Sequence, residues 1–366
     1  MLKISFFDLI ADSSAFTLLI IASVLFLTTA LIIILVTLIF QVVKRNRLRV
    51  RQAIEDQLND WIAELLAVED EPLKMSEHLS AYFKNPDYHP YITAQLIIIR
   101  KNISGIALGR IIEVYEQYGL KASSVKKLQS SSWHVKALGI YELYMMMQKD
   151  MKVEISRYTN IKDDFVRAEA QTAMISFEGF SGLNFLNTLT HPLTEWQQLK
   201  LTEQLLTLNT VQITGLEAWL QSINSQVVSF ALKLAANFQQ LQVHDAVVEC
   251  LENKNEKLRA EAIFTLTKIA NMKTADLLVK QYVTETDFNK RNILIALRSI
   301  SGDEQSSFLQ QQLNHSDNDI KLLAALALLN TYVGAEQILR DKAQREHDPY
   351  HMIFLHAKRA LTYDLG

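Results

Sequence analysis

The sequence predicts an all-α protein: a single N-terminal transmembrane helix followed by a right-handed α-solenoid. Three observations carry this. Glycine (10) and proline (5) are scarce among 366 residues, against average usage of roughly 7% and 5%, which leaves too few turn and bulge residues for a large sheet protein. Residues 13–43 contain no charged side chain. From residue 131 onward, helix-capping residues recur about every 31 positions. A hydrophobic fraction of 49% excludes wholesale disorder. The single cysteine, Cys250, excludes a disulfide scaffold and fits a reducing compartment.

The organisation follows in order: an extracytoplasmic tail (1–14), a transmembrane helix (15–43), a basic juxtamembrane stalk (44–60), a helical N-terminal cap (61–130) and the solenoid (131–366). An uncharged run of 31 residues reaches ~46 Å as a helix, more than a hydrocarbon core of ~30 Å. It is also too long for a cleaved signal, and Asp8 and Asp12 precede it without a small-residue cleavage site following. Lys44, Arg45, Arg47, Arg49 and Arg51 come next, against Lys3, Asp8 and Asp12 before the span, so the large C-terminal part is expected in the cytoplasm. These five charges read as a topology anchor; recruiting a specific anionic lipid would need no more than the same charges. The net charge of −3 divides into −1 for residues 1–43, +5 for 44–51 and −7 for the rest, which argues against nucleic acid as a partner. In 52–130, Pro72, Pro86 and Pro90 break the chain into short helices, the last running from Gly105 to Gly119.

The repeat is plainest where residues 166–170 (VRAEA) and 258–262 (LRAEA) read alike. Extending their register places N-caps at Ser132, Asp163, Thr194, Asn224, Asn255, Asp287, Asp317 and Asp348. Seven positions after each cap stand Gly139, Ala170, Leu201, Ala231, Ala262, Leu294, Ala324 and Leu355. Eleven after it stand Leu143, Met174, Leu205, Ala235, Leu266, Arg298, Leu328 and Arg359. With the apolar residue at +3 they share one helix face, and small residues at +7 allow neighbouring helices to approach closely. A second apolar helix completes each unit, clearest at 274–282 and 305–313. Two short helices cannot bury their apolar faces alone, so the units must stack.

Asp163-Val166-Arg167-Ala170, Asn255-Leu258-Arg259-Ala262 and Asp317-Ile320-Lys321-Ala324 resemble the signature of HEAT repeats, specifically the short variety similar to bilin-lyase-type HEAT-like repeats. The resemblance covers 131–366 and departs at Gln197 and Gln198 and at His351 and Met352. It implies that the basic residues following the +3 position, Lys136, Arg167, Arg259, Arg291 and Lys321, hydrogen-bond to the aspartate of a neighbouring repeat and so form an inter-repeat ladder. An inner stripe for an acidic partner is the alternative. The acidic neighbours Glu169 and Glu261 join this set, and Trp133, Tyr141, Tyr144, Met145, Met146 and Met147 make either first-repeat core or a contact patch for a partner helix.

Chemistry-bearing patterns are weak. His347, His351 and His356 lack the i, i+3 or i+4 spacing that metal ligands on a helix need. Cys250 has His244 six residues away, a spacing that does not activate a thiol on a helix. Neither a phosphate-cradling glycine loop nor a nucleophile elbow is present. The sequence therefore predicts no enzyme, metal or cofactor. It predicts a non-catalytic scaffold or regulatory subunit at the bacterial inner membrane, whose partner is another, membrane-associated protein. A resemblance to anchored HEAT-like proteins that accompany membrane glycosyltransferases in polysaccharide export implies that partner class, and the bilin-lyase resemblance implies the alternative of an enzyme or small-molecule handler.

Overall fold

The computed structural model describes residues 13–67, 75–103, 106–208, 212–346 and 348–364. Most of the tail 1–14, together with Pro72, Gly105 and His347, lies outside these. The described residues fold as an all-α solenoid preceded by a long apolar helix, in two compact units, 1–126 and 127–366.

Helix α1 (Ser13–Ala67) runs 55 residues without a break. Its two halves have opposite surroundings. From Leu19 to Val43 the large apolar side chains are exposed, whereas Ile54, Leu58, Trp61 and Ile62 are buried. Within the apolar half, the hydroxyls of Thr28, Thr29 and Thr37 donate to the carbonyls of Leu25, Phe26 and Ile33 at 2.9, 2.8 and 2.7 Å. These hydroxyls are satisfied inside the helix and need no water. The stretch is long and apolar enough to cross a membrane.

The first unit gathers α2 (Glu77–Lys84), α3 (His89–Lys101) and α4 (Ile106–Gln117) around the buried face of α1. Ser76 caps α2 through its hydroxyl, and Pro90 occupies the first turn of α3, where its missing N–H leaves no bond unmade. Trp61 and Tyr118 both meet Phe83, at ring-centroid distances of 6.3 and 4.6 Å. Because Ile54 and Leu58 already belong to this core, the boundary expected at residue 60 between stalk and cap does not exist. The stalk is the inner wall of the cap. Helix α5 (Leu120–Leu128) follows Gly119, whose φ of +71° turns the chain.

In the second unit each repeat pairs a long capped helix with a shorter one. The long helices are α6 (Trp133–Met145), α8 (Asp164–Glu178), α9 (Glu195–Leu206), α11 (Ser225–Asn237), α13 (Glu256–Lys268), α15 (Asp287–Ile300), α17 (Asn318–Thr331) and α19 (Tyr350–Asp364). Between them lie α7 (Lys152–Ser156), α10 (Leu216–Leu220), α12 (His244–Glu249), α14 (Thr274–Tyr282), α16 (Ser306–Gln312) and α18 (Ala335–Glu346). Between α8 and α9 a 3-10 segment, Gly179–Thr188, takes the place of the short helix. There Gly182 lies so close to α8 that a Cβ would stand 2.3 Å from the Met174 carbonyl oxygen.

Asp163, Thr194, Asn224, Asn255 and Asp317 cap their helices through side-chain oxygens, and Thr194 completes a capping box with Gln197. Ser132 stands at the cap of α6 without a side-chain capping bond, Asp348 stands one residue before the cap position of α19, and Thr286, not Asp287, caps α15. The shift explains an apparent misfit, because positions +7 and +11 become Ile293 and Leu297, both 0% exposed, and Arg298 leaves the core row. In α19, Leu355 is exposed and Ile353 and Ala357 are buried instead, since the helix starts only at Tyr350. Elsewhere Ala170, Ala231, Ala262 and Ala324 are fully buried at the close approach of consecutive helices.

Helices α6 and α11 end alike, ninety-two residues apart. The Gln148 N–H reaches the Leu143 carbonyl at 3.0 Å and the Met147 N–H reaches Tyr144; Gln240 and Gln239 repeat this with Ala235 and Ala236. Both are Schellman closures, with Met147 (φ 53°) and Gln239 (φ 47°) in the left-handed region that glycine normally fills. Side chains help hold them, since the amides of Gln148 and Gln240 donate to the Met146 and Phe238 carbonyls. Gln239 is exposed, so Gln239→Gly relieves a left-handed side chain and is expected to stabilise the fold by about 1 kcal/mol, read as a raised Tm.

Candidate functional site

The basic row sits where each long helix meets the next repeat. Arg167 is completely buried. Its Nη1 donates to the carbonyls of Ile161 (2.6 Å) and Lys162 (3.2 Å), and its Nη2 to Asp164 (2.5 Å) and to the Pro192 carbonyl of the following repeat (3.1 Å). Arg259 grips Glu285 of the following repeat with two bonds, Nε–Oε1 at 2.8 Å and Nη2–Oε2 at 3.0 Å, while Nη1 donates to the Asn253 carbonyl at 2.9 Å. Arg291 bonds Asp317. Lys136 donates to the Leu128 carbonyl and lies over the Tyr158 ring at 4.7 Å; Lys321 reaches Asn318 and lies over the Tyr350 ring at 5.1 Å. The acceptor in the next unit is thus an aspartate only at Arg291. At the other positions a glutamate, a carbonyl or an aromatic face takes its place, because the loops between repeats differ while the helix ends do not.

Glu285 shows what such a joint does to a carboxylate. Burial opposes its ionisation, but hydrogen bonds from Arg259, Gln281 and Asn289 outweigh burial and hold its pKa below the usual glutamate range. Asp317 is likewise lowered, by the Asp319 backbone N–H and then by Arg291.

A second cluster spans the first three repeats. Tyr144 donates to Glu169 Oε2 at 3.1 Å, and Lys200 donates to Glu169 Oε1 at 2.7 Å, so one carboxylate links α6, α8 and α9. Tyr141 packs edge-on against Tyr144 at 5.5 Å. Tyr144, Met145 and Met146 are buried core, whereas Trp133 is 48% exposed. Trp133 stacks on Phe165 at 4.9 Å. Phe165 (60% exposed), Trp196 (60%), Leu138 (45%) and Leu199 (58%) are exposed as well, on α8, α9 and α6, so that each of the first three long helices presents apolar side chains to solvent. Sequence reasoning missed Phe165, Trp196 and Leu199. The signal that finds the two aromatics is the second position after each cap, which holds an aromatic in the units capped by Asp163, Thr194 and Thr286. The counterpart of Glu169 three repeats on, Glu261, has one buried carboxylate oxygen without a hydrogen-bond partner among the described residues.

Cys250 is buried, with its Sγ 3.5 Å from the Ala246 carbonyl and 3.8 Å from that of Leu220. Burial, and secondarily Glu249, push the thiol up to about 11. His244 turns away from it, bonding Thr274 at 2.8 Å and Asn271 at 3.2 Å. A cavity of about 220 Å³ beside Cys250 is lined by Leu220, Gln221, Glu249 and Asn253 among others. Among the described residues no three His, Cys, Asp or Glu side chains converge as a metal site. Lys44, Arg45, Arg47, Arg49 and Arg51 all lie on α1, just past its apolar half.

Residues 215–330 match the family model for HEAT repeats. The chain carries a HEAT-repeat solenoid. Two solved structures are similar to it: an engineered protein, 16% identical over 77% of this chain and 87% of that one with a TM-score of 0.34, and human deoxyhypusine hydroxylase in complex with glycerol, 15% identical over 69% and 96% with a TM-score of 0.30. No curated protein matches the sequence.

Two outcomes test these joints. Glu285→Ala should cost about 3 kcal/mol at pH 7, because it leaves Arg259 facing an emptied, largely buried joint. A lowered carboxyl pKa supplies stability above its unfolded value of about 4.3 and loses it as pH falls through the folded value, so the gap to wild type should narrow progressively in melts run at decreasing pH below about 4.3. Alkylation of Cys250 by iodoacetamide at pH 8 should run roughly a hundredfold slower in the folded chain than in denaturant.

Proposed function

We propose that this protein is a membrane-tethered, non-catalytic scaffold that holds another membrane-associated protein on the exposed aromatic row of its first repeats. The observation that carries this is the row Trp133, Phe165 and Trp196 with Leu138 and Leu199, an apolar strip on neighbouring long helices between 45% and 60% exposed. Exposed aromatic clusters of this kind mark contact surfaces, and aromatic anchors dominate binding energy where a partner covers them. The polar links just beneath, through Glu169 to Tyr144 and Lys200, hold the helices that present the row in one arrangement.

Tethering rests on the apolar half of α1, its internally satisfied threonines and the five basic residues that follow, which favour a cytoplasmic solenoid at a bacterial inner membrane. A tether confines the solenoid near partners in the same bilayer, and this raises their effective concentration without any added contact. The raised thiol of Cys250 supports a structural role for it and gives no support to a nucleophile.

The test is site-specific photocrosslinking in cells from position 165, with position 272, fully exposed on a different part of the repeat, as the reference. Trp133→Glu combined with Trp196→Glu should cut the yield of one defined adduct from position 165 at least tenfold, on the scale of two lost anchors, while the circular dichroism melt stays unchanged. Equal adducts from both positions would sink the proposal.

A further inference from the structure

Immediately past the apolar half of α1, a cavity of about 300 Å³ opens between α1 and the start of α3, lined by Val43, Asn46, Arg47, Val50, Tyr88 and Tyr91. We propose that this cavity holds the phosphate headgroup of one anionic phospholipid, with Arg47 as the phosphate-binding residue. The inference rests on the reading of α1 as membrane-spanning and deepens it.

Depth is the first argument. The last apolar residue before the charges is Val43, and Arg47 follows four residues later, about 6 Å along the helix axis. The headgroup layer of one leaflet is roughly 5–7 Å thick. Arg47 therefore lies at phosphate level when the apolar half fills the hydrocarbon.

Helical phase is the second. Val43, Asn46, Arg47, Val50, Ile54 and Leu58 are spaced by three and four and share one face, the same face that buries Ile54 and Leu58 against the first unit's core. Arg45 and Arg49 stand two residues either side of Arg47 and so lie across the helix from it. Of the five basic residues only Arg47 lines the cavity; Arg51 lines a neighbouring crevice of about 10 Å³, too small for a headgroup, where Glu55 also stands.

The lining chemistry is the third. Among the described residues no carboxylate lines the cavity, so none of them competes for the guanidinium there. A guanidinium and an amide supply donors for phosphate oxygens, and Arg presents its donors in a fork that matches them. Tyr88 and Tyr91 place amphipathic rings at the interface, where such rings concentrate, and Val43 lines the side nearest the hydrocarbon. The volume sits at the low end of ligand pockets, which suits a headgroup and excludes a whole lipid.

The experiment uses the full chain in mild detergent and counts retained lipid by native mass spectrometry during titration with short-chain phosphatidylglycerol, phosphatidylcholine or inorganic phosphate. Wild type should retain one phosphatidylglycerol in preference to phosphatidylcholine. Arg49→Gln sets the baseline for losing one charge of the basic run, about fivefold, and Arg47→Gln should weaken retention roughly tenfold further. Arg47 is exposed, so neither variant threatens folding. Equal losses in the two variants would overturn the site in favour of diffuse attraction, and displacement of the lipid by millimolar inorganic phosphate would overturn the lipid as its ligand. Alkaline-carbonate extraction of membranes reads the tether separately: release of wild type into the supernatant would remove the membrane reading itself, whereas retention with equal variant losses would remove the pocket alone.

Discussion

Two short helices joined in about thirty-one residues present more apolar surface than they can hide from each other, and the second unit of this protein is arranged around that surplus. Long helices bury one face against a shorter neighbour and, except between α9 and α11, another against the next long helix, so stability accrues at joints between repeats rather than within them. Closeness is what makes the joints work. Alanine at 170, 231, 262 and 324 is fully buried where consecutive long helices meet, and a larger side chain there would force the whole row apart.

The polar joints follow from the same constraint. Bringing helix ends together also brings together loops full of carbonyls that need donors. Arg167 and Arg259 meet that need by reaching two loops at once, their own and the next repeat's. A buried guanidinium is tolerable only because nearly every donor finds an oxygen; at Arg167 the Nε alone lacks one among the described residues. These side chains fix the register of stacking, which a purely apolar joint would leave free to slide.

Much of this was legible in sequence because capping and burial are local rules. Asp163, Thr194, Asn224, Asn255 and Asp317 were readable as caps since an oxygen before a helical apolar pattern has few other uses. Thr286 and Asp287 are both good caps, and nothing local separates them; the choice is made by which residue, Leu297 or Arg298, must enter the core. The partners of the basic row were not legible, because Glu285, Pro192 and Tyr158 belong to loops whose paths depend on packing. The aromatic row escaped for the opposite reason: exposure of Phe165 and Trp196 is defined only once their neighbours are placed, and an aromatic in an amphipathic helix reads as core by default. The boundary between stalk and cap at residue 60 was not legible, because an amphipathic stretch does not show which helices cover Ile54 and Leu58.

That last correction makes α1 a shaft rather than a leash. Its apolar half and the face that buries Ile54, Leu58 and Trp61 belong to one unbroken helix, so no hinge uncouples them. Every residue along such a shaft carries about 100° of rotation and 1.5 Å of rise. The azimuth at which the first unit's helices meet the apolar segment is therefore written in residue count: inserting one residue between Val43 and Val50 would swing them by more than a quarter turn, whereas inserting seven would nearly restore it. The length of that short basic stretch is thus itself an orienting element, independent of the charges it carries.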